Sequence, residues 1–201
     1  MLTLYHSPRT RSSRIVQLVH ELDALDRVEI RPVGIVRQDG SGGRDAANPH
    51  PEGKVPILVH DGVEIWESNA IMLYLTEIFP EAGLGIAPGD PQRGRFLSWL
   101  AWYGDVMEPV LVHRFAGLSH PALTATFRGF DEMAARLTAA LSDDDWLVGG
   151  RHTAADLLLV SAFTFAPEMM PSTPALDAWV ARCQARPSVA FIQAYDADLL
   201  G

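Results

Sequence analysis

Three short segments in the first half of the chain carry side chains suited to holding a small charged molecule. The first is Ser7-Pro8-Arg9-Thr10-Arg11-Ser12-Ser13, which packs hydroxyls and guanidiniums where a helix is predicted to begin. A helix start offers unpaired N–H groups and about half a positive charge, so it stabilises an anion. The plainer reading is that Ser and Thr cap the helix while Arg faces solvent. The second is Gly53-Lys54-Val55-Pro56-Ile57-Leu58. A proline at the head of a strand donates no ladder hydrogen bond. A cis bond ahead of Pro56 would turn the Val55 backbone outward, where its N–H and C=O can hold an extended peptide by strand-like pairing. An edge strand opening on an ordinary trans proline is the alternative. The third is Trp66-Glu67-Ser68-Asn69-Ala70-Ile71. Ser68 reads as a helix N-cap. Its hydroxyl and the neighbouring helix-start N–H groups would also bind a carboxylate, with Glu67 pairing an ammonium. An acid beside an anion site suits the α-amino-acid end of a small peptide.

The elements that would position these segments follow from hydrophobic spacing. Leu2 to Tyr5 is a short strand ended by His6-Ser7-Pro8. From Thr10 to about Leu22 the residues Ile15, Val16, Leu18, Val19 and Leu22 share one helical face. Val28 to Val33 alternates as a strand, and Gly34 to Asn48 reads as loop. Val55–Val59 and Val63–Trp66 are two strands joined by Asp61-Gly62, a strong hairpin signal. Ser68 opens a helix carrying Ile71, Met72, Leu75 and Ile78, which stops at Phe79-Pro80. Residues 81–91, rich in Gly and Pro, read as a linker. Beyond it only helical patterns occur, near 92–115, 123–141, 154–165 and 174–186. A mixed α/β half is thus followed by an all-α half.

Composition narrows the function. The 201 residues are 48% hydrophobic and 20% charged, as in ordinary globular proteins. The formal net charge of -9 disfavours phosphate backbones, so no nucleic-acid partner is expected. The opening residues show no secretory signal, and the longest apolar stretch falls far short of a membrane span. Cys183 is the only cysteine, which forbids an intrachain disulfide and makes a cytoplasmic location the default. It also excludes Cys-x-x-Cys exchange chemistry. The seven histidines form no ligand spacing, so no metal is expected.

The order strand, hydroxyl-bearing turn, Gly-Lys-Val-Pro and Glu-Ser-Asn-Ala-Ile resembles the N-terminal domain of glutathione S-transferases. Leu4-Tyr5-His6-Ser7-Pro8 with Ser13-Arg14-Ile15-Val16 looks like the family's opening, and His50-Pro51-Glu52-Gly53-Lys54-Val55-Pro56 like its His-Pro-x-Gly-Lys-x-Pro segment. Gly150-Arg151-His152-Thr153-Ala154-Ala155-Asp156 resembles the family's Gly-x-x-Ser/Thr-x-Ala-Asp capping box, and Arg186-Pro187-Ser188-Val189 its late Arg-Pro segment. Trp99-Leu100-Ala101-Trp102-Tyr103 to Glu108-Pro109 resembles the helix bordering the hydrophobic substrate site, closest to a bacterial and fungal subgroup. The resemblance covers almost the whole chain. It implies an α/β thioredoxin-like glutathione-binding domain over residues 1–79, a linker over 80–91, and an all-α domain over 92–201 bearing a hydrophobic pocket.

The resemblance also implies roles. Counting back from Arg14, the residue that meets the glutathione sulfur is Thr10, where that subgroup carries Ser; Ser12 is the second candidate. Lys54, Val55, Pro56, Glu67, Ser68 and Arg11 would bind glutathione, with Val55 pairing its cysteinyl backbone and Glu67 and Ser68 its γ-glutamyl end. Trp99, Trp102, Tyr103 and Met107 would line the second-substrate pocket, unless they serve as helix core or dimer contact. Thr153 and Asp156 form a structural helix cap. The implied protein is a homodimeric transferase that ionises glutathione for attack on a small hydrophobic electrophile or a peroxide, with a role in detoxification. A non-catalytic binding or regulatory module of the same fold and a glutathione-dependent isomerase are the rival readings.

Overall fold

A computed structural model describes all 201 residues, which fall into two compact units: Met1–Leu84 with Arg186–Gly201, and Gly85–Ala185. The first unit is built on a four-stranded sheet. β1 (Leu2–His6) is fully buried, and α1 (Ser13–Glu21) turns Ile15, Val16, Leu18 and Val19 inward, as the sequence spacing requires. β2 (Val28–Pro32), β3 (Ile57–His60) and β4 (Val63–Trp66) complete the sheet in the order β2-β1-β3-β4. β1 runs parallel to β2 and antiparallel to β3, and β3 is antiparallel to β4. The β3–β4 turn places Asp61 at φ 49° and Gly62 at φ 85°, the doubly left-handed geometry that its Asp-Gly sequence favours. α2 (Ser68–Ile78) buries Ile71, Met72 and Leu75. This β-α-β and β-β-α arrangement is the thioredoxin-like half expected from the sequence.

Two differences matter for the site. The first helix begins at Ser13 rather than Thr10, so Ser7 to Ser12 form a turn held by side chains. A further helix, α9 (Pro187–Asp198), was not legible as one. It starts on Pro187 at its first position, where the missing N–H costs nothing, and it belongs to the first unit. The helical domain expected over 92–201 therefore ends, as a compact unit, at Ala185.

The second unit is all helical: α3 (Arg93–Trp102), a π-helical turn (Tyr103–Met107), α4 (Glu108–Phe115), α5 (Pro121–Phe127), α6 (Phe130–Ala140), α7 (Ala154–Phe165) and α8 (Pro174–Gln184). The pattern near 123–141 is two helices because Arg128 and Gly129, at φ 67° and 139°, break it. Phe96, Trp99, Leu137, Leu158, Phe163 and Trp179 form its core. At the head of α7 the Thr153 N–H donates to Asp156 Oδ2 at 2.9 Å, closing the expected cap. Asp156 is fully buried and also accepts from Thr153 Oγ1, the Leu147 N–H and Trp179 Nε1. The residue read as a local cap thus also ties a loop and α8 to α7.

Candidate functional site

Strand register gathers the three segments at one end of the sheet. Tyr5 faces Ile57 across β1–β3, and Ile57 faces Trp66 across β3–β4. One step beyond that row lie His6 at the end of β1, Pro56 entering β3, and Glu67 leaving β4, with Ser7 next after His6. Residues far apart in sequence are neighbours because the strands alternate in direction.

The turn after β1 is a closed network of hydroxyls. Thr10 Oγ1 donates to the Ser7 carbonyl at 2.7 Å, accepts from the Ser12 N–H at 3.1 Å and lies 2.8 Å from Ser12 Oγ. Ser12 Oγ accepts from the Ser7 N–H at 3.0 Å and lies 2.8 Å from His6 Nδ1. Ser12 is wholly buried, whereas Thr10 is half-buried. Of the two candidates for the sulfur, only Thr10 therefore reaches the surface, and Ser12 sits behind it as support. Arg11 is exposed at the edge of the turn.

The bond between Val55 and Pro56 is cis. Pro56 is buried, and Val55 packs against a cluster of Tyr5, Val33 and Ile57. Asn48 Nδ2 donates to the Lys54 carbonyl at 3.1 Å, fixing the strand entry, while the Lys54 ammonium is exposed and pairs with Glu52. Gly53 takes φ 66°, a conformation that costs glycine nothing.

Glu67 is exposed and left-handed at φ 67°, rare for a residue with a side chain. Glu67, and not Ser68, occupies the cap position of α2. Ser68 is the first helical residue, and its buried hydroxyl accepts from Arg14 Nε at 3.1 Å and from a terminal guanidinium nitrogen at 2.9 Å. The expected N-cap bond of Ser68 is replaced by a bond to a guanidinium because the helix begins one residue earlier than a serine cap would require. Arg14, in the sequence only a reference point for counting, joins the first and third segments.

Two further residues were given no role by the sequence. Asp196 of α9 lies 3.0 Å from His6 Nε2 through Oδ1, and its Oδ2 accepts from the Arg9 N–H at 2.7 Å and Ser13 Oγ at 2.6 Å. Burial alone would raise the Asp196 carboxyl, but hydrogen bonds from His6, Ser13 and the Arg9 N–H outweigh it and hold the group below its ordinary range. His6 lies in the opening segment but was given no role there, Asp196 stands in no motif, and Arg9 and Asp196 are 187 positions apart.

In the second unit, Trp99, Trp102, Tyr103 and Met107 are all buried, and the two indoles meet edge-to-face at 5.3 Å. The Arg136 guanidinium lies over both rings, at 5.6 and 5.3 Å. No group of three or more His, Cys, Asp or Glu side chains is arranged to hold a metal, and no helix is long and apolar enough to cross a membrane.

Known proteins share this architecture. Residues 1–77 match the family described as Glutathione S-transferase, N-terminal domain, and residues 110–187 match Glutathione S-transferase, C-terminal domain. The chain belongs to the glutathione S-transferase family. Among curated relatives, Protein LigF of Sphingobium is 27% identical, over 70% of this chain and 73% of its own. Glutathione S-transferase 1 of Manduca sexta is 26% identical, over 91% and 88% respectively. Among solved structures, a sphingomonad glutathione S-transferase complexed with glutathione superposes with a TM-score of 0.78 at 27% identity, covering 97% of this chain and 98% of that one. Within a glutathione S-transferase, the sheet end carrying Thr10, Val55, Glu67 and Ser68 is the natural candidate site.

Proposed function

We propose that the chain is a glutathione transferase that binds glutathione along this sheet end and directs its thiolate at a small hydrophobic electrophile, with an organic hydroperoxide as a second acceptor. The reading is supported by the row Tyr5–Ile57–Trp66, beyond which β1 leads into the turn of Thr10, Pro56 enters β3 and Glu67 precedes the start of α2. The residues present fit the tripeptide. Val55 offers its backbone to the cysteinyl unit, Glu67 its carboxylate to the γ-glutamyl ammonium, and Ser68 with the start of α2 takes the γ-glutamyl carboxylate. Lys54 and Arg11 supply positive charge for the glycyl end. Thr10 presents its hydroxyl to the sulfur.

The energetics are of the right size. A free thiol ionises near 8.5, and lowering that by about 2 units takes about 2.7 kcal/mol. A hydrogen bond to a charged group contributes about 1.5–3 kcal/mol. The N-terminus of α1 adds about 0.3–1 kcal/mol.

The test is a panel of a chloronitrobenzene, an organic hydroperoxide and a disulfide, each offered with glutathione. Conjugation or peroxide reduction is expected. Glutathione binding without turnover of any electrophile or peroxide would instead mark a binding module, and turnover of a cis–trans dienoic acid alone would mark an isomerase.

A further inference from the structure

We infer that His6 is the internal acceptor of the glutathione thiol proton, which reaches it through the hydroxyls of Thr10 and Ser12, and that Asp196 is the positioning residue that keeps His6 able to receive it. This inference rests on the transferase reading and adds a destination for the proton that ionisation must remove.

The atoms form an unbroken line. Thr10 Oγ1 is 2.8 Å from Ser12 Oγ, Ser12 Oγ is 2.8 Å from His6 Nδ1, and His6 Nε2 is 3.0 Å from Asp196 Oδ1. His6 Nε2 and Asp196 Oδ1 meet at ion-pair distance, and neither atom makes a hydrogen bond to any other group. His6 and Ser12 are wholly buried and Asp196 nearly so, which leaves Thr10 as the member of the line that meets the surface. The charged and titratable groups around His6 are few. Asp196 and Tyr195 face it from α9, the Tyr195 ring at 5.9 Å. Arg9 and Arg11 of the turn are exposed, and the Arg14 guanidinium is engaged with Ser68.

Hydrogen-bond roles are dictated by this order. The Asp196 carboxylate 3.0 Å from Nε2 favours the tautomer of a neutral His6 that carries its proton there, which leaves Nδ1 a lone pair. That lone pair takes the Ser12 O–H. Ser12 Oγ keeps a lone pair for the Thr10 O–H, and the Ser7 carbonyl at 2.7 Å offers Thr10 a resting alternative. Thr10 Oγ1 accepts from the Ser12 N–H and retains one lone pair for a thiol.

A thiol brought to that lone pair can pass its proton to Thr10 Oγ1. The former Thr10 proton moves to Ser12 Oγ, and the former Ser12 proton moves to His6 Nδ1. One S–H bond is lost and one N–H bond gained, so a thiol and a neutral imidazole become a thiolate and an imidazolium. Each hydroxyl has reversed direction, and Thr10 now donates to the sulfur, the orientation that stabilises the anion. The buried imidazolium is paired at once with Asp196. Without that partner its burial would be prohibitive.

The protein with glutathione, set against S-methylglutathione, provides the test. Thiolate absorbance reports ionisation, and calorimetry in two buffers of different ionisation heat counts protons released. Nitrogen-15 shifts of the His6 ring report its protonation. Near neutral pH the thiolate is expected to form with close to zero protons released beyond the S-methyl control, and both His6 nitrogens should move to imidazolium values with glutathione only. In Ser12→Ala, with the line cut and the His6–Asp196 pair kept, a thiolate that still forms should release close to one proton per site. A wild-type thiolate that releases close to one proton, or leaves the His6 shifts unmoved, overturns the relay while sparing the transferase. Absence of glutathione binding or of any thiolate overturns both.

Discussion

Replacing Thr10 by Val removes one hydroxyl and keeps the branched shape. In the turn, the Ser12 N–H then loses its acceptor at 3.1 Å, while the Ser7 carbonyl keeps Ser12 Oγ at 3.2 Å. One orphaned, part-buried donor should lower stability by about 1–3 kcal/mol, a loss that denaturant unfolding will read. At the sulfur the loss is a hydrogen bond to a charged atom, worth about 1.5–3 kcal/mol, so the thiol should ionise about 1–2 units higher. If the wild-type thiol titrates about 2 units below its free value, the thiolate fraction at pH 7 should fall about 3- to 25-fold, and neutral-pH activity with it. Activity should recover as the pH is raised past the new midpoint, because the glutathione-binding residues are untouched. Thr10→Ser, which restores the hydroxyl, should return most of the shift. The assay is thiolate absorbance of bound glutathione against pH, run beside kcat/KM over the same range. Superimposed titration curves for wild type and Thr10→Val would remove Thr10 from the sulfur, however much activity was lost.

Three other perturbations follow from the same geometry. Ser68→Ala deletes the oxygen that meets Arg14 and the proposed γ-glutamyl carboxylate; KM for glutathione should rise about tenfold, or about 1.4 kcal/mol, with kcat less affected, and equal retention on a glutathione column would count against the assignment. Asp156→Ala should destabilise the chain by about 2–5 kcal/mol, since two backbone N–H groups, the Thr153 hydroxyl and Trp179 Nε1 lose one buried acceptor together, and a change under about 1 kcal/mol in urea unfolding would show that they find other partners. Asp196 is held below its ordinary carboxyl range, so its stabilisation is complete above the unfolded value of about 3.9 and is lost as pH falls through the lower folded one. Asp196→Asn should therefore be less stable at neutral pH and have a flatter acid limb; parallel acid-unfolding curves would contradict this.

What could be read from the sequence, and what could not, divides along a physical line. The strand over 63–66, the helix over 68–78 and the Asp61-Gly62 turn were legible because periodicity and turn chemistry are local. So was the Thr153–Asp156 cap, whose partners are three residues apart. Thr10 was reached by counting back from Arg14 within a family resemblance, and Val55, Glu67 and Ser68 by their places beside a strand-opening proline and at a predicted helix start. His6, Arg14 and Asp196 were given no role, because their importance lies in what they touch. A histidine ending a strand, an arginine in an amphipathic helix and an aspartate near the end of the chain have no pattern of their own. The helix over 187–198 escaped for a related reason: its apolar residues are spread around it, so no single stripe marks it.

That last helix completes the site, and its placement follows from two anchors. At the C-terminal end of α1, Glu21 receives the Arg186 guanidinium at 2.8–3.0 Å and Ser188 Oγ at 2.6 Å, and Gln17 donates to Ser188 at 3.0 Å. At its N-terminal end, Asp196 receives Ser13, the Arg9 N–H and His6. Contacts at both ends fix α9 antiparallel to α1, so the rotation and height of Asp196 are set by residues far from it. An arrangement loosened at Glu21 would displace Asp196 from His6, although Glu21 touches nothing in the turn. The turn of Ser7 to Ser13 is thus held from behind by a helix encoded at the opposite end of the chain.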